Sequence, residues 1–273
     1  MNLTLKRLFF GLEVHAPWPT HFPKGNILAE TQRHVTLSFL GHCDLENLLG
    51  ELRYFPLTSK TSPIGFCGLF DYCLFLPPKT SHVVAWHNHW YHQKYFIEIF
   101  QRTLTDWLKQ LHFSPDSSEW LPHTTICRGS FDQEEWLKSF IPLPFFTQSI
   151  HLYESLGNAT YQSVWNYPVL APFEQIASQK NHLLIRASSL SDLYYNAFTA
   201  LAFKYPSLVA HFIQINELSS LDEVTDVLNQ CMRSFSESHS SGVKSIHLSE
   251  EPLKNLEGVV LTQNHLEYRL AIL

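Results

Sequence analysis

The chain has 273 residues, of which 45% are hydrophobic and 14% aromatic, and this is enough apolar material for two domains. A formal net charge of −6 argues against binding along a nucleic-acid duplex, although one phosphate or one RNA end could still be recognised. The five cysteines form no CxxC pair and no zinc spacing, and an odd number favours a reducing cytoplasm. The sequence shows no signal peptide and no transmembrane run, so we expect a soluble cytoplasmic protein.

The first part of the chain alternates predicted strands with predicted helices. A short helix is predicted after Asp44, which has the form of an N-cap residue. The longest helix is predicted over 89–111, where apolar residues recur at helical spacing. The strands are predicted over 5–14, 33–40, 64–75 and 81–86.

Three histidines at the predicted start of the long helix raise the question of a metal site. They are His87, His89 and His92. No cysteine or carboxylate nearby completes a ligand set, so we predict no metal at this position.

A second group of elements follows residue 122. Asp132 and Glu135 form a capping box that predicts a short helix to about residue 140. The segments 149–155 and 161–167 predict a β-hairpin with Gly157 and Asn158 in the turn. Strand and helix elements therefore surround two similar motifs, which favours an α+β fold of two related lobes.

The last hundred residues predict a separate small α+β domain, and we place the boundary between 1–171 and 172–273. One helix is predicted to open at Ser189, and another at Ser220 with Glu223 three residues later. The predicted strands cover 182–187, 210–216, 243–248, 258–261 and 266–273.

The two similar motifs have the form His-x-Thr inside a β-prone run that closes with glycine. They are His34-x-Thr36 and His123-x-Thr125. Side chains alternate between the faces of a strand, so the histidine and threonine of each motif share one face while the apolar residues occupy the other. The pattern alone leaves open whether these are ordinary strand histidines or one from each half of a shared cleft.

Two imidazoles that face one phosphate can act as a general acid and a general base near neutral pH. The threonine hydroxyls can donate hydrogen bonds to the other phosphate oxygens, and Arg128 can add a fixed positive charge. Simple alternation places Arg128 on the face opposite His123, so it reaches the phosphate only if the strand bulges or ends there.

At these residues the sequence resembles the two-histidine (2H) phosphoesterases, and within them the bacterial LigT-like RNA 2′,3′-cyclic phosphodiesterases, also known as the 2′-5′ RNA ligase family. The resemblance covers about residues 5–170. It includes Arg7-Leu8-Phe9-Phe10-Gly11-Leu12, both motifs with Arg33, Pro122 and Arg128, the segment Leu152-Tyr153-Glu154-Ser155, and Tyr161 with the region Trp165 to Pro168.

The resemblance implies a bilobal, pseudo-twofold fold with antiparallel sheets around a central cleft. It also implies an enzyme that needs no metal or cofactor and opens 2′,3′-cyclic phosphate ends of RNA to 2′-phosphates, with reversible 2′-5′ ligation as an extension. The matching catalytic residues are His34 and His123, and the matching phosphate-binding residues are Thr36, Thr125 and Arg128. The family more often has Leu-Ala where this chain has Ile126-Cys127.

The C-terminal domain more faintly resembles archease, a protein that assists an RNA ligase. The segment 183–202 and the strand at 242–246 carry this likeness, but the metal-holding acids of archease are missing. The resemblance implies an RNA-processing protein as a partner, and an unrelated accessory domain stays open. Two other functions also stay open, namely an esterase for a small cyclic nucleotide such as ADP-ribose cyclic phosphate, and a non-catalytic adaptor for RNA ends or an RNA ligase.

Overall fold

The computed structural model describes residues 5–56, 64–91, 94–116, 119–239, 245–251 and 266–273. The described strands form an eight-stranded and a four-stranded sheet, and neighbouring strands in both are antiparallel. The fold is therefore mixed α and β with antiparallel sheets, as the sequence predicts. Within this part of the chain, no helix is long and apolar enough to cross a membrane.

The first sheet contains the elements that carry both motifs. Its strands are β1 Leu5–His15, β2 Asn26–Ile27, β3 His34–Asp44, β4 Cys67–Leu76, β5 Val83–Trp90, β6 His123–Arg128, β7 Leu143–Gly157 and β8 Thr160–Pro168. Its helices are α1 Leu45–Glu51, α2 Lys94–Gln110 and α3 Gln133–Ser139.

The long strand β7 connects two lobes of this sheet. Its residues 143–146 pair with β4, and its residues 146–154 pair with β1, with a register shift after residue 147. The strand order is β3-β1-β7-β8 in one lobe and β6-β5-β4-β7 in the other. The strands β3 and β6 meet between the lobes, where Val35 pairs with Thr124. The two motifs therefore lie side by side at the centre of the sheet.

Local capping defines the helix starts that the sequence predicts. The carboxylates of Asp44 and Asp132 each accept hydrogen bonds from the amides two and three residues later. Ser189 accepts one from the amide three residues later. The Ser220 hydroxyl accepts one from the Glu223 amide in the same way. These bonds satisfy amide groups that have no partner within the helix, so the four predicted starts are confirmed.

The predicted helix over 89–111 is wrong at its beginning. The helix α2 begins at Lys94, and His87 and His89 belong to the strand β5. The reason is that buried and more exposed residues alternate here, as in a strand. Trp86, Asn88 and Trp90 are buried, and His87 and His89 lie between them.

The C-terminal part forms the second sheet, in the order β11-β12-β10-β9. Its elements are β9 Phe173–Gln175, β10 His182–Ala187, α4 Leu190–Lys204, α5 Leu221–His239, β11 Ile246–Glu251 and β12 Leu266–Ile272. The predicted strand 210–216 is wrong, because a 3₁₀ helix occupies Pro206–His211 and the backbone of Ile213 bonds to the Tyr194 hydroxyl instead of a strand. The predicted strand 258–261 lies outside the described residues.

The helix α4 lies between the two sheets. The sequence predicts a single apolar face, formed by Leu190, Leu193, Ala197 and Leu201. In the structure every residue from 193 to 202 is buried. The helix packs on β10 and also on β4 and β7 of the first sheet, and a helix covered on all sides buries all its faces.

Two apolar cores fill the protein, and the second draws residues from both parts of the chain. Cys67 and Tyr91 from the first part belong to the second core. The Tyr91 ring stacks on Tyr195 at 5.3 Å and on Phe212 at 4.8 Å. The domain boundary after residue 171 stays a prediction, and the packing shows that the two parts share an apolar interior. All five cysteine thiols are free.

A buried ion-pair cluster ties the second sheet together. The guanidinium of Arg186, on β10, is 4% exposed and donates to Glu267 on β12 and Glu174 on β9, at 2.9 Å in each case. It also donates to the backbone oxygen of Ala171 at 2.9 Å. One side chain thereby connects three strands and the segment that joins the two sheets.

Candidate active site

A cavity of about 850 Å³ opens where β3 and β6 meet. The β7–β8 hairpin and the segment around β2 form its walls. All five residues singled out in the sequence line this cavity, namely His34, Thr36, His123, Thr125 and Arg128. The fold therefore brings the two motifs into one site.

Both cavity histidines are held by the same backbone contact. The Nδ1 atom of His34 lies 2.8 Å from the carbonyl oxygen of Gln32, and Nδ1 of His123 lies 2.8 Å from that of Leu121. A carbonyl oxygen can only accept, so Nδ1 carries the proton in both rings. The other nitrogen, Nε2, is left for a ligand in the cavity.

The environment of the cavity favours neutral imidazoles. Burial lowers the pKa of His34 to about 4, and the charges of His123 and Arg128 act in the same direction against the hydrogen bond to Gln32. Burial likewise lowers the pKa of His123. Both rings therefore favour the neutral form at pH 7, and an anion beside them would favour their protonation.

A β-bulge in each motif strand turns a third side chain into the cavity. In β6, Cys127 pairs with Val84 and Thr125 pairs with Ala85, so Ile126 is the extra residue. The bulge restores Arg128 to the face of His123, where it lines the cavity. Strict alternation along the strand would have placed Arg128 on the face opposite His123. From the sequence, Arg128 requires a bulge or a strand end to reach the cavity, and the structure has the bulge.

The strand β3 has the corresponding bulge. Phe10 pairs with Ser38 and Gly11 pairs with Thr36, which leaves Leu37 as the extra residue. Phe39 therefore shares the face of the first motif and lines the cavity. Sequence reasoning missed Phe39. In an alignment of the two motifs, Phe39 occupies the position equivalent to Arg128, since each lies five residues after the histidine of its motif.

The β7–β8 hairpin closes one side of the cavity through polar and aromatic contacts. Arg128 donates from Nη2 to the Tyr161 hydroxyl at 3.2 Å. The edge of the Tyr161 ring meets His34 at a centroid distance of 4.8 Å and an angle of 88°. The side-chain oxygen of Gln32 accepts a hydrogen bond from the Tyr161 amide. Gln32 and Tyr161 thus connect the wall of the cavity to His34, and neither was predicted as a site residue.

Two further rings and a glycine determine where the His34 ring lies. Its centroid is 4.8 Å from that of Phe9 and 5.2 Å from that of Tyr153. A Cβ atom on Gly11 would lie 3.0 Å from the Val35 oxygen and 3.5 Å from His34 Cδ2. The absence of a side chain at position 11 therefore leaves the space that this packing uses.

A carboxylate on β1, opposite His34 in the sheet, contacts one imidazole on β1 and one on β7. Glu13 pairs with His34 across the strands, and its carboxylate lies 3.4 Å from Nε2 of His15 and 3.5 Å from Nε2 of His151. Contacts with His15 and then His151 hold the pKa of Glu13 well below its usual range. His151 also bonds to the Ser163 hydroxyl at 2.7 Å through Nδ1.

The histidines considered as metal ligands are only partly described. His87 and His89 lie beside Asp71, whereas His92 lies outside the described residues. Among the described residues there is no group of three or more histidines, cysteines or acids that could hold a metal ion.

No family model matches the sequence, and no curated protein matches it. Solved structures with similarity include E. coli LigT complexed with 3′-AMP, at 18% identity and a TM-score of 0.44 over 60% of this chain and 98% of that chain. E. coli LigT complexed with ATP is similar at 18% identity and a TM-score of 0.41, over 61% of this chain and 99% of that chain. A protein of Thermus thermophilus is similar at 16% identity and a TM-score of 0.43, over 60% of this chain and 98% of that chain.

Proposed function

We propose that this protein is a phosphoesterase that hydrolyses the 2′,3′-cyclic phosphate ends of RNA or oligonucleotides to 2′-phosphates. The observation that carries the proposal is the matched pair of cavity histidines, each with Nδ1 bonded to a backbone carbonyl and Nε2 left for one ligand. Two imidazoles on one phosphate can move both protons of the reaction.

In the proposed reaction, water attacks the phosphorus and the bond from phosphorus to O3′ breaks. His34 takes the proton of the water, because its lowered pKa keeps Nε2 unprotonated. His123, protonated once the phosphate is bound, donates its proton to O3′ as that oxygen leaves. Thr36, Thr125 and Arg128 bind the remaining phosphate oxygens and stabilise the negative charge that develops there.

The same groups support ligation when a 5′-hydroxyl takes the place of water. His34 then takes the proton of the 5′-hydroxyl as its oxygen bonds to phosphorus, and His123 donates a proton to O3′ as the bond from phosphorus to O3′ breaks. When this ligation runs backwards, each histidine exchanges its role as acid or base, as microscopic reversibility requires. A 2′-5′ bond would then form from the cyclic phosphate and the hydroxyl. We therefore include reversible 2′-5′ ligase activity in the proposal.

The test is a substrate panel that compares a dinucleotide with a cyclic-phosphate end, a mononucleotide 2′,3′-cyclic phosphate and ADP-ribose cyclic phosphate. Turnover of the dinucleotide to a 2′-phosphate product supports the proposal. Turnover of the small cyclic nucleotides alone identifies the esterase alternative. Tight binding of the dinucleotide without turnover identifies the non-catalytic adaptor.

We also propose that residues 172–273 form an accessory module that contacts an RNA-processing protein, and that the protein works in the cytoplasm. The faint likeness to archease supports the partner, and the free cysteines are compatible with a reducing compartment. Capture of an RNA ligase by the full chain, lost when exposed residues of this module are changed, would support the contact.

The pH dependence of kcat/KM is expected to be bell-shaped with its maximum at mildly acidic pH. His34 acts as a base only when neutral, so activity falls as the pH drops through about 4. His123 acts as an acid only when protonated, so activity falls as the pH rises through its lowered pKa, below the usual value of about 6.5.

A series of initial rates across the acidic and neutral range checks this profile. Arg128→Met provides a matched comparison, because the positive charge of Arg128 lowers the pKa of both histidines. Both limbs of the profile should therefore move to higher pH in this variant, whatever the loss in rate. An acid limb near the usual imidazole pKa in the wild-type protein would contradict the assignment of His34.

Activity is also expected to persist in EDTA, because two imidazoles, two hydroxyls and one guanidinium supply the protons and charge that the reaction needs. The measurement is the rate before and after treatment with the chelator. Loss of activity that zinc or manganese restores would show that a metal takes part, with His87, His89 and His92 as the first residues to substitute.

A further inference from the structure

A row of polar side chains continues from the cavity across β5 and β4. His87 on β5 pairs directly with His123 on β6. Side chains at paired positions of antiparallel strands lie on the same face, with Cβ atoms about 5 Å apart. His87 is therefore the neighbour of His123 on the side away from His34.

A β-bulge in β4 directs two side chains at His87. Phe70 pairs with Asn88 and Cys73 pairs with Trp86, so two residues of β4 stand opposite the single residue His87. One of them, Asp71, lies 2.7 Å from Nδ1 of His87 through its carboxylate. A carboxylate accepts this hydrogen bond, so Nδ1 carries a proton and Nε2 is the remaining acceptor of the neutral ring.

The second residue of the bulge places an aromatic ring on His87. The ring of Tyr72 stacks on the imidazole at a centroid distance of 4.5 Å and an angle of 14°. Tyr72 is 44% exposed, and the side chain of His87 is 18% exposed. One face of the tyrosine ring is therefore supported by His87 while much of the side chain is open to solvent.

We propose that Tyr72 and His87 form a second nucleoside-binding subsite, which takes the nucleotide that precedes the cyclic-phosphate end of an RNA. The proposal rests on the proposed function. The base would stack on the exposed part of the Tyr72 ring, and the ribose 2′-hydroxyl would donate to Nε2 of His87. The strand β5 lies between β4 and β6, so two strand spacings of about 4.8 Å separate the strand of Tyr72 from that of His123.

The chemistry of this subsite suits a nucleoside better than a phosphate. The carboxylate of Asp71 lies against His87 and would repel an anion. A hydroxyl donor and a neutral base are not repelled by this charge. Any base can stack on an aromatic ring. The subsite would therefore favour substrates with a second nucleotide, whatever the base of that nucleotide. The 2′-hydroxyl contact would make it prefer ribose over deoxyribose.

The first experiment compares kcat/KM of Tyr72→Ala on a cyclic-phosphate dinucleotide and on the mononucleotide cyclic phosphate. We expect the dinucleotide value to fall about 5- to 100-fold, the usual effect of removing one stacking ring, and the mononucleotide value to fall much less. Tyr72→Phe should retain the dinucleotide value. The matched control is Tyr54→Ala, which removes a tyrosine that is 61% exposed and does not line the cavity.

The second measurement uses a dinucleotide with deoxyribose at the position before the cyclic-phosphate end. Wild-type protein should prefer the ribose form, and His87→Ala should lose that preference. Equal losses of Tyr72→Ala on both substrates, or no loss on either, would overturn the proposal while leaving the phosphoesterase function intact.

A separate outcome tests the underlying function. If wild-type protein turns over neither substrate, the proposed function is wrong, and calorimetry with an unreactive dinucleoside 2′-phosphate still decides the subsite. Weaker binding to Tyr72→Ala than to wild type would then support the subsite. Equal affinities would overturn it.

Discussion

Replacing His34 or His123 by alanine is expected to lower kcat by about 10²- to 10⁴-fold, the usual cost of losing a general acid or base. Each ring lines the cavity with Nδ1 bonded to a backbone carbonyl, so each substitution removes the one ring nitrogen, Nε2, that the proposed mechanism uses at that position. The measurement is single-turnover and steady-state hydrolysis of a cyclic-phosphate dinucleotide, with thermal unfolding as the check on folding.

His82→Ala is the matched control for both variants. The Nδ1 atom of His82 also contacts the carbonyl oxygen two residues earlier, that of Thr80, at 3.1 Å, but His82 does not line the cavity. This control should keep wild-type kcat. Near wild-type turnover in a folded His34→Ala or His123→Ala protein would remove that histidine from the mechanism.

Replacing Arg186 by methionine is expected to lower the free energy of unfolding by about 3–5 kcal/mol, the usual cost of removing one partner from a buried ion pair. The side chain of Glu267 is 2% exposed, so the substitution leaves its carboxylate buried without the guanidinium. The contacts of Arg186 with Glu174 and the Ala171 oxygen are lost as well. Urea unfolding measures the change.

Lys138→Met provides the contrasting control. Lys138 and Glu134 form a short ion pair at 2.6 Å on the surface of α3, but their side chains are 74% and 75% exposed. Water and salt screen such a pair, so the substitution should cost less than about 0.5 kcal/mol. A similar loss in both variants would contradict a special role for the buried cluster around Arg186.

The sequence predicts the features that depend on nearby residues. The caps at Asp44, Asp132 and Ser189 are correct because each cap needs only amides a few positions away. The phase of the two motifs is correct because alternation along a strand is a local property. Alternation also shows that Arg128 needs a bulge or a strand end to reach the face of His123, so this requirement could be stated from the sequence.

Features that depend on distant residues could not be predicted in this way. The apolar segment 210–216 forms the end of a 3₁₀ helix and then irregular backbone, because the Tyr194 hydroxyl bonds to the backbone of Ile213 in place of a strand partner. The burial of α4 on all sides depends on the first sheet, which is far away in the sequence. Phe39 enters the cavity only through a bulge, and a single copy of the motif gives no sign of it.

The continuity of β7 has a consequence for the kinetics of binding. Opening the two lobes like a hinge would require breaking the backbone hydrogen bonds of β7 to β4 at residues 143–146 or to β1 at residues 146–154. We therefore expect His34 and His123 to lie side by side before a ligand arrives, so that binding needs no large closing motion to bring the two rings together. Amides in the middle of β7 should exchange with deuterium only through extensive unfolding, while those in the 157–160 turn exchange early.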